Sequence, residues 1–179
     1  MENKVLMHIC CAPCANQCID SLHMEGLDVT GFWYNPNIHP YTEWRARRDT
    51  LTEYARKIHL PLIVDNTYGL RTFVQAVANN IDGRCGYCYL VRMEETARVA
   101  AEKGFSGFTT SLLISPYQQH DRIVTIGRKM AEKYGTTFIY RDFRPLYEAG
   151  RTRARELGFY MQKYCGCIFS EEERYYKKK

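Results

Sequence analysis

The 179-residue sequence predicts one α/β domain, a parallel sheet with helices on both faces. Two observations predict it. Short, β-prone apolar runs alternate with stretches of 10–16 residues that carry a helical period. Glycine or proline stops most of those stretches, and no repeat, low-complexity segment or linker divides the chain.

In chain order, Val5–Ile9 (VLMHI) reads as a buried strand that breaks off at Cys10, and Ala15–Met24 as a helix stopped by Gly26. Val29–Tyr34 is a second strand, running into the turn-rich NPNIHP loop. Glu43–Ile58 is an amphipathic helix, with Leu51, Tyr54, Ala55 and Ile58 at helical spacing. Pro61 ends it, and Leu62–Val64 starts a third strand. Helices follow at Leu70–Ala78 and Cys88–Lys103, then a fourth strand at Gly107–Leu113. Ile123–Tyr134 is a helix closed by Gly135, Thr137–Arg141 a fifth strand, and Ala149–Leu157 a last helix. Residues 1–179 thus read as a single domain with a C-terminal Cys-Gly-Cys loop and a short charged tail ending Lys177–Lys179.

At 45% hydrophobic the chain can bury a core without disulfide staples. Its first apolar run is too short for a signal peptide, and no stretch approaches the roughly 18 apolar residues of a membrane span. The expected location is therefore the cytoplasm, with no membrane partner. The net charge of +5 permits nucleic acid as a partner without requiring it.

Eight cysteines are the informative count. In a reducing compartment they point to metal binding or redox chemistry. They fall in three groups: Cys10, Cys11 and Cys14 with Cys18 one turn on; Cys85 and Cys88; Cys165 and Cys167. A metal site needs thiolates converging from several segments, which this pattern offers. Adjacent cysteines and a CxC do not form the usual pair of zinc knuckles. Iron–sulfur clusters tolerate looser spacing, because neighbouring thiolates can serve different irons or a second metal. Structural zinc and pure thiol redox chemistry stay open beside that reading. Cys85 and Cys88 fall where a loop enters a helix, a setting that favours thiolates. A disulfide between Cys165 and Cys167 would close a very small ring and be easily reduced, which suits a two-electron store; metal ligation is the competing reading. Cys18 reads as a buried free cysteine, whereas Cys14 is open between ligand and support. In this fold class ligands sit beyond the carboxyl ends of the strands, where Cys10 falls.

HICCAPC, YNPNIHPYTEW at 34–44, RCGYCYLVRM at 84–93, TTSLLISPYQ at 109–118 and RELGFYMQKYCGCIFS at 155–170 together resemble the QueH-type epoxyqueuosine reductase family over most of the chain. Trp44, where an aromatic such as tyrosine is usual, and Cys18 are small departures. The resemblance implies a Rossmann-like fold akin to the adenine-nucleotide hydrolases. It implies two-electron removal of the epoxide oxygen from epoxyqueuosine at the tRNA wobble position, releasing water. It implies a 4Fe–4S cluster on Cys10, Cys11, Cys85 and Cys88, with Cys14 a further metal-ligand candidate, a second mononuclear iron as an option, and an external electron donor. Cys165 and Cys167 are carried over as the redox-active pair.

Such chemistry needs protons, for which His8, His39 and Asp142 are candidates; His39, in a loop, is the stronger, and His8 reads equally as a core histidine. Arg151, Arg153 and Arg155, just before the Cys-Gly-Cys loop, are placed to meet tRNA phosphates. Arg45, Arg47 and Arg48 read more readily as a solvated face, Lys177–Lys179 as non-specific attraction, and Tyr117 as a stacking residue or as packing. Two rivals stand beside this: a tRNA thiolation enzyme, which would want a glycine-rich phosphate loop where CCAPCAN stands, and a zinc-stabilised RNA-binding module.

Overall fold

The structure is a computed structural model that describes residues 3–176. Four strands pair in parallel in the order β3-β2-β1-β4: β1 Lys4–His8, β2 Asp28–Trp33, β3 Leu62–Val64 and β4 Gly107–Thr110. Between them run α1 Ala12–Met24, α2 Tyr41–Lys57, α3 Leu70–Val77 and α4 Arg84–Glu102; after them come α5 His120–Tyr134, α6 Tyr147–Glu156 and α7 Ile168–Tyr175. Side chains of successive strand residues face opposite sides of a sheet. Val5, Leu6 and Met7 are all fully buried, so both faces of β1 are covered. One helix group packs α1 against α6 and α2; another packs α4 against β1, β4 and α5.

The strand order reverses at β1, whose neighbours are β2 on one side and β4 on the other. A crevice beyond the carboxyl ends of the strands is expected at such a reversal. Here the chain leaves β1 at Cys10 and β4 at Ser111, and the Cys10 main-chain N–H donates to Ser111 Oγ at 3.2 Å.

Besides shifts at helix ends, three elements differ from the sequence reading. The fourth strand ends at Thr110, whose hydroxyl accepts from the Leu112 N–H and turns Ser111–Ile114 into a 3-10 helix. The expected fifth strand is reduced to a single bridge between Phe108 and Phe138. Gly107 permits that approach, because a Cβ there would stand 2.7 Å from the Thr137 carbonyl oxygen. The segment after Cys167 forms α7, capped by the Cys167 sulfur, which accepts from the Ser170 N–H at 3.4 Å. Lys177–Lys179 lie outside the described residues. Among the described residues no helix is long and apolar enough to cross a membrane.

Candidate active site and metal centre

The end of β1 and the start of α1 present three thiols together. Cys11 is the N-cap of α1, and Pro13 in its first turn starts the helix at a preset φ, so Cys14 rises one turn above. The sulfurs of Cys10, Cys11 and Cys14 all lie within 4.8 Å of one another, with Cys10 and Cys11 3.8 Å apart. A tetrahedral metal with bonds of ~2.3 Å to sulfur sets its ligand sulfurs ~3.8 Å apart, so this donor set fits a metal. Ser111 Oγ donates to Cys10 Sγ at 3.4 Å, and Gln162 Nε2 donates to Cys11 Sγ at 3.0 Å and to Cys14 Sγ at 3.7 Å. Hydrogen bonds from Cys11, Cys14 and Ser111 hold Cys10 well below the ordinary thiol range. Burial pushes Cys11 up, and the neighbouring thiols push Cys14 up.

Four of the remaining five thiols gather separately. α4 begins at Arg84, four residues before the expected start, which puts Cys85 in its first turn and Cys88 on the same face. Cys88 packs with Cys167, Phe73 and Val77, and Cys85, Cys88, Cys165 and Cys167 line one chamber of about 180 Å³. Burial pushes the Cys88 thiol up to about 12. A larger cleft of about 500 Å³ is lined by Cys10, Cys14 and Cys165. Arg92, Tyr117, Gln118 and Cys165 line both spaces. The ligand set Cys10, Cys11, Cys85 and Cys88 expected from the sequence is thus divided between two neighbouring thiol groups, and Cys14 joins the first.

Buried polar side chains hold the Cys-Gly-Cys loop. Arg47, on α2, donates to Glu43 Oε1 at 2.7 Å and to the carbonyls of Tyr164 and Cys165 at 2.9 Å each. Glu43 also accepts from the Tyr160 hydroxyl. Gly166 has φ of +152°, with Ile38 and Arg47 3.2 and 3.4 Å from where a Cβ would stand. His39 is fully buried; Nε2 donates to the Pro36 carbonyl at 3.0 Å and Nδ1 accepts from the Ile168 N–H at 3.2 Å. With both ring nitrogens engaged by main chain, His39 joins the loop to α7, and it is absent from the lining of the cleft, where a proton donor was expected.

His8 is a core histidine: its ring meets Thr110 Oγ1, the Tyr34 carbonyl and Asn35 Oδ1. Asp142 is paired with Arg144. Of the three arginines on α6, Arg151 lines the cleft, where its guanidinium lies 5.6 Å from the Tyr147 ring; Arg153 is paired with Asp20; Arg155 is exposed and lines none of the cavities described. Tyr117, 83% exposed, stands on the cleft lip against Tyr147. Arg45 stacks over Tyr41 and Arg48 over Trp44, so the basic start of α2 is partly built into aromatic packing. Cys18 is buried and donates to the Cys14 carbonyl at 3.3 Å. Arg92, Ser111, Gln118 and Gln162 were not singled out from the sequence; their only signal was membership of the motifs around the cysteines.

Comparisons with known proteins show the fold and the family. A solved structure described as a predicted subunit of tRNA methyltransferase from Methanocaldococcus jannaschii matches at a TM-score of 0.52 and 15% identity, covering 97% of this chain and 93% of that one, a likeness of fold. Epoxyqueuosine reductase QueH of Dehalococcoides mccartyi is 37% identical over 99% of this chain and 97% of its own length. The protein of the same name from Thermotoga maritima is 37% identical over 95% and 91%, and that from Haemophilus influenzae 35% over 94% and 72%. The family model described as epoxyqueuosine reductase QueH matches residues 5–173, and the chain belongs to that family of oxidoreductases.

Proposed function

We propose that the cleft removes the epoxide oxygen of epoxyqueuosine at the wobble position of tRNA, a two-electron reduction that releases water and draws on an external electron donor. The observation that carries this reading is the convergence of seven thiols from three distant segments in two adjoining groups. One cluster needs four thiolates, so seven support a 4Fe–4S cluster with a second, mononuclear iron beside it. Cys10, Cys11 and Cys14 would hold metal from one wall, and Cys85 and Cys88 from the other. Iron bound there supplies electrons one at a time and a Lewis acid for the oxygen. Cys165, exposed on the cleft, is the thiol that meets substrate or reductant, and buried Cys167 is its partner.

The remaining residues bind and exclude. Tyr117 and Tyr147 offer ring faces to an unpaired anticodon-loop base, and Arg151, Lys163 and Arg174 on the same cleft offer charge to phosphates. His39 and Arg47 act by position, fixing the loop that carries Cys165. The thiolation rival gains no support: where a phosphate loop would lie stand the sulfurs of Cys10, Cys11 and Cys14. Zinc in an RNA-binding module gains none from the family.

The test is anaerobic purification with iron and sulfide analysis, then reduction and addition of tRNA carrying epoxyqueuosine. Loss of one oxygen atom from the nucleoside is expected. No conversion by fully loaded protein sinks the assignment. Cys167→Ser is expected to retain iron and lose turnover; full turnover in that variant removes the redox-pair role.

A further inference from the structure

Two arginines of this site are buried almost alike, Arg47 at 2% and Arg92 at 4% exposure. Arg47 spends Nε, Nη1 and Nη2 on Glu43, Cys165 and Tyr164. Arg92 makes one hydrogen bond, from Nε to the Cys88 carbonyl of its own helix at 2.9 Å. Its Nη atoms have no hydrogen-bond partner, and no carboxylate pairs with it, among the described residues. Its guanidinium carbon lies 5.9 Å from the Tyr89 ring centroid, so the charge has an aromatic face but no carboxylate beside it, an arrangement open to an anion from the cavity. The side chain lines both the cleft with Cys10 and Cys14 and the chamber with Cys85, Cys88, Cys165 and Cys167. Two free Nη groups therefore stand at the junction of the two thiol groups, in a place built to receive a small anion.

We propose that Arg92 receives the oxygen that leaves carbon, making it a catalytic residue of the reductase reading on which this inference rests. The first C–O bond breaks with the electron pair going to oxygen, and the first electron from the donor goes to carbon. The second electron expels the oxygen from the other carbon, leaving the alkene; two protons from solvent in the cleft complete water. Negative charge on oxygen develops in both steps. Parallel donors from a guanidinium, which stays charged, meet it without reorganisation.

The experiment compares the iron-loaded parent with Arg92→Gln and Arg92→Lys on tRNA carrying epoxyqueuosine, measuring kcat, KM, iron content and the midpoint potential of the centre. Arg92→Gln is expected to lose about 10²–10³-fold in kcat, the scale of a lost oxyanion donor, with KM and iron content as in the parent. Arg92→Lys keeps the charge, and with it the midpoint potential, but loses the fork and retains part of kcat. Parental kcat in Arg92→Gln, a loss confined to KM, or a loss in proportion to missing iron overturns the proposal. A loaded parent that converts nothing overturns the reductase reading itself, a result distinct from the other three.

Discussion

Arg47 Nη1 donates to the main-chain carbonyl oxygen of Cys165 at 2.9 Å, tying a helix at the β2–β3 crossover to a loop 118 residues further along the chain. The guanidinium and its partner Glu43 are both buried, so removing one strands the other. Arg47→Met is expected to cost about 3–5 kcal/mol, as loss of one member of a buried pair does. It also leaves two loop carbonyls without donors, so alkylation of Cys167 should accelerate. Urea midpoints and timed alkylation measure both; an unchanged midpoint would deny the brace its role.

Gln162 touches two of the three clustered sulfurs through one amide nitrogen, while its Oε1 is buried without a partner among the described residues. An N–H donated to a metal-bound thiolate favours the more negative, reduced state. Gln162→Leu is therefore expected to move the centre's midpoint potential downward with iron content intact. Stability should change by less than about 1 kcal/mol, because the lost hydrogen bonds are offset by removal of the unpaired oxygen. A redox titration followed by EPR reads the shift, and a potential equal to the parent's would dismiss the contact as incidental.

Burial, and then the charge of Arg92, pushes His8 down from 6.5 to about 4. The folded value lies below the unfolded one, so the unfolded chain takes the proton first as pH falls. Stability from neutral His8 is fully present above about 6.5 and drains away toward about 4, up to about 3 kcal/mol in all. His39, lowered to about 4 by burial, adds its loss in the same window. The urea midpoint should be flat above that window and fall through it, less steeply in His8→Gln. Equal slopes in parent and variant would show that His8 titrates freely.

The parts of the fold set by local pattern were legible in the sequence: β1 to β3 by their apolar runs, α2 and α5 by period and by the residues that stop them. The errors lie where a single tertiary contact decides. Leu112–Ile114 is as apolar as a strand, but the Thr110 hydroxyl turns the chain there. IFSEEERY reads as a charged tail until the Cys167 sulfur and His39 take up main-chain N–H groups at its start. At the site, cysteine spacing announced metal or redox chemistry, yet not which sulfurs meet. That partition depends on where Arg47 holds the Cys-Gly-Cys loop, and no spacing encodes it. Arg92 and Gln162 look like ordinary polar residues in sequence; what distinguishes them is the donors they leave free or aim at sulfur.

Cys14 and Cys18 sit one helical turn apart on α1, and the structure separates their fates. Cys14 Sγ joins Cys10 and Cys11 within 4.8 Å, whereas Cys18 Sγ is spent on the Cys14 carbonyl. Cobalt(II) added to metal-free protein reports thiolate ligation through its charge-transfer absorption, independently of turnover. Cys10→Ser, Cys11→Ser and Cys14→Ser are each expected to weaken that band and the affinity behind it, since each removes a soft donor from the same small triangle. Cys18→Ala should leave both untouched and cost about 1 kcal/mol of stability, the usual scale of a modest core change. If Cys18→Ala bleaches the cobalt band as strongly as Cys14→Ser does, the sulfur triangle at the end of β1 has been drawn with the wrong corner.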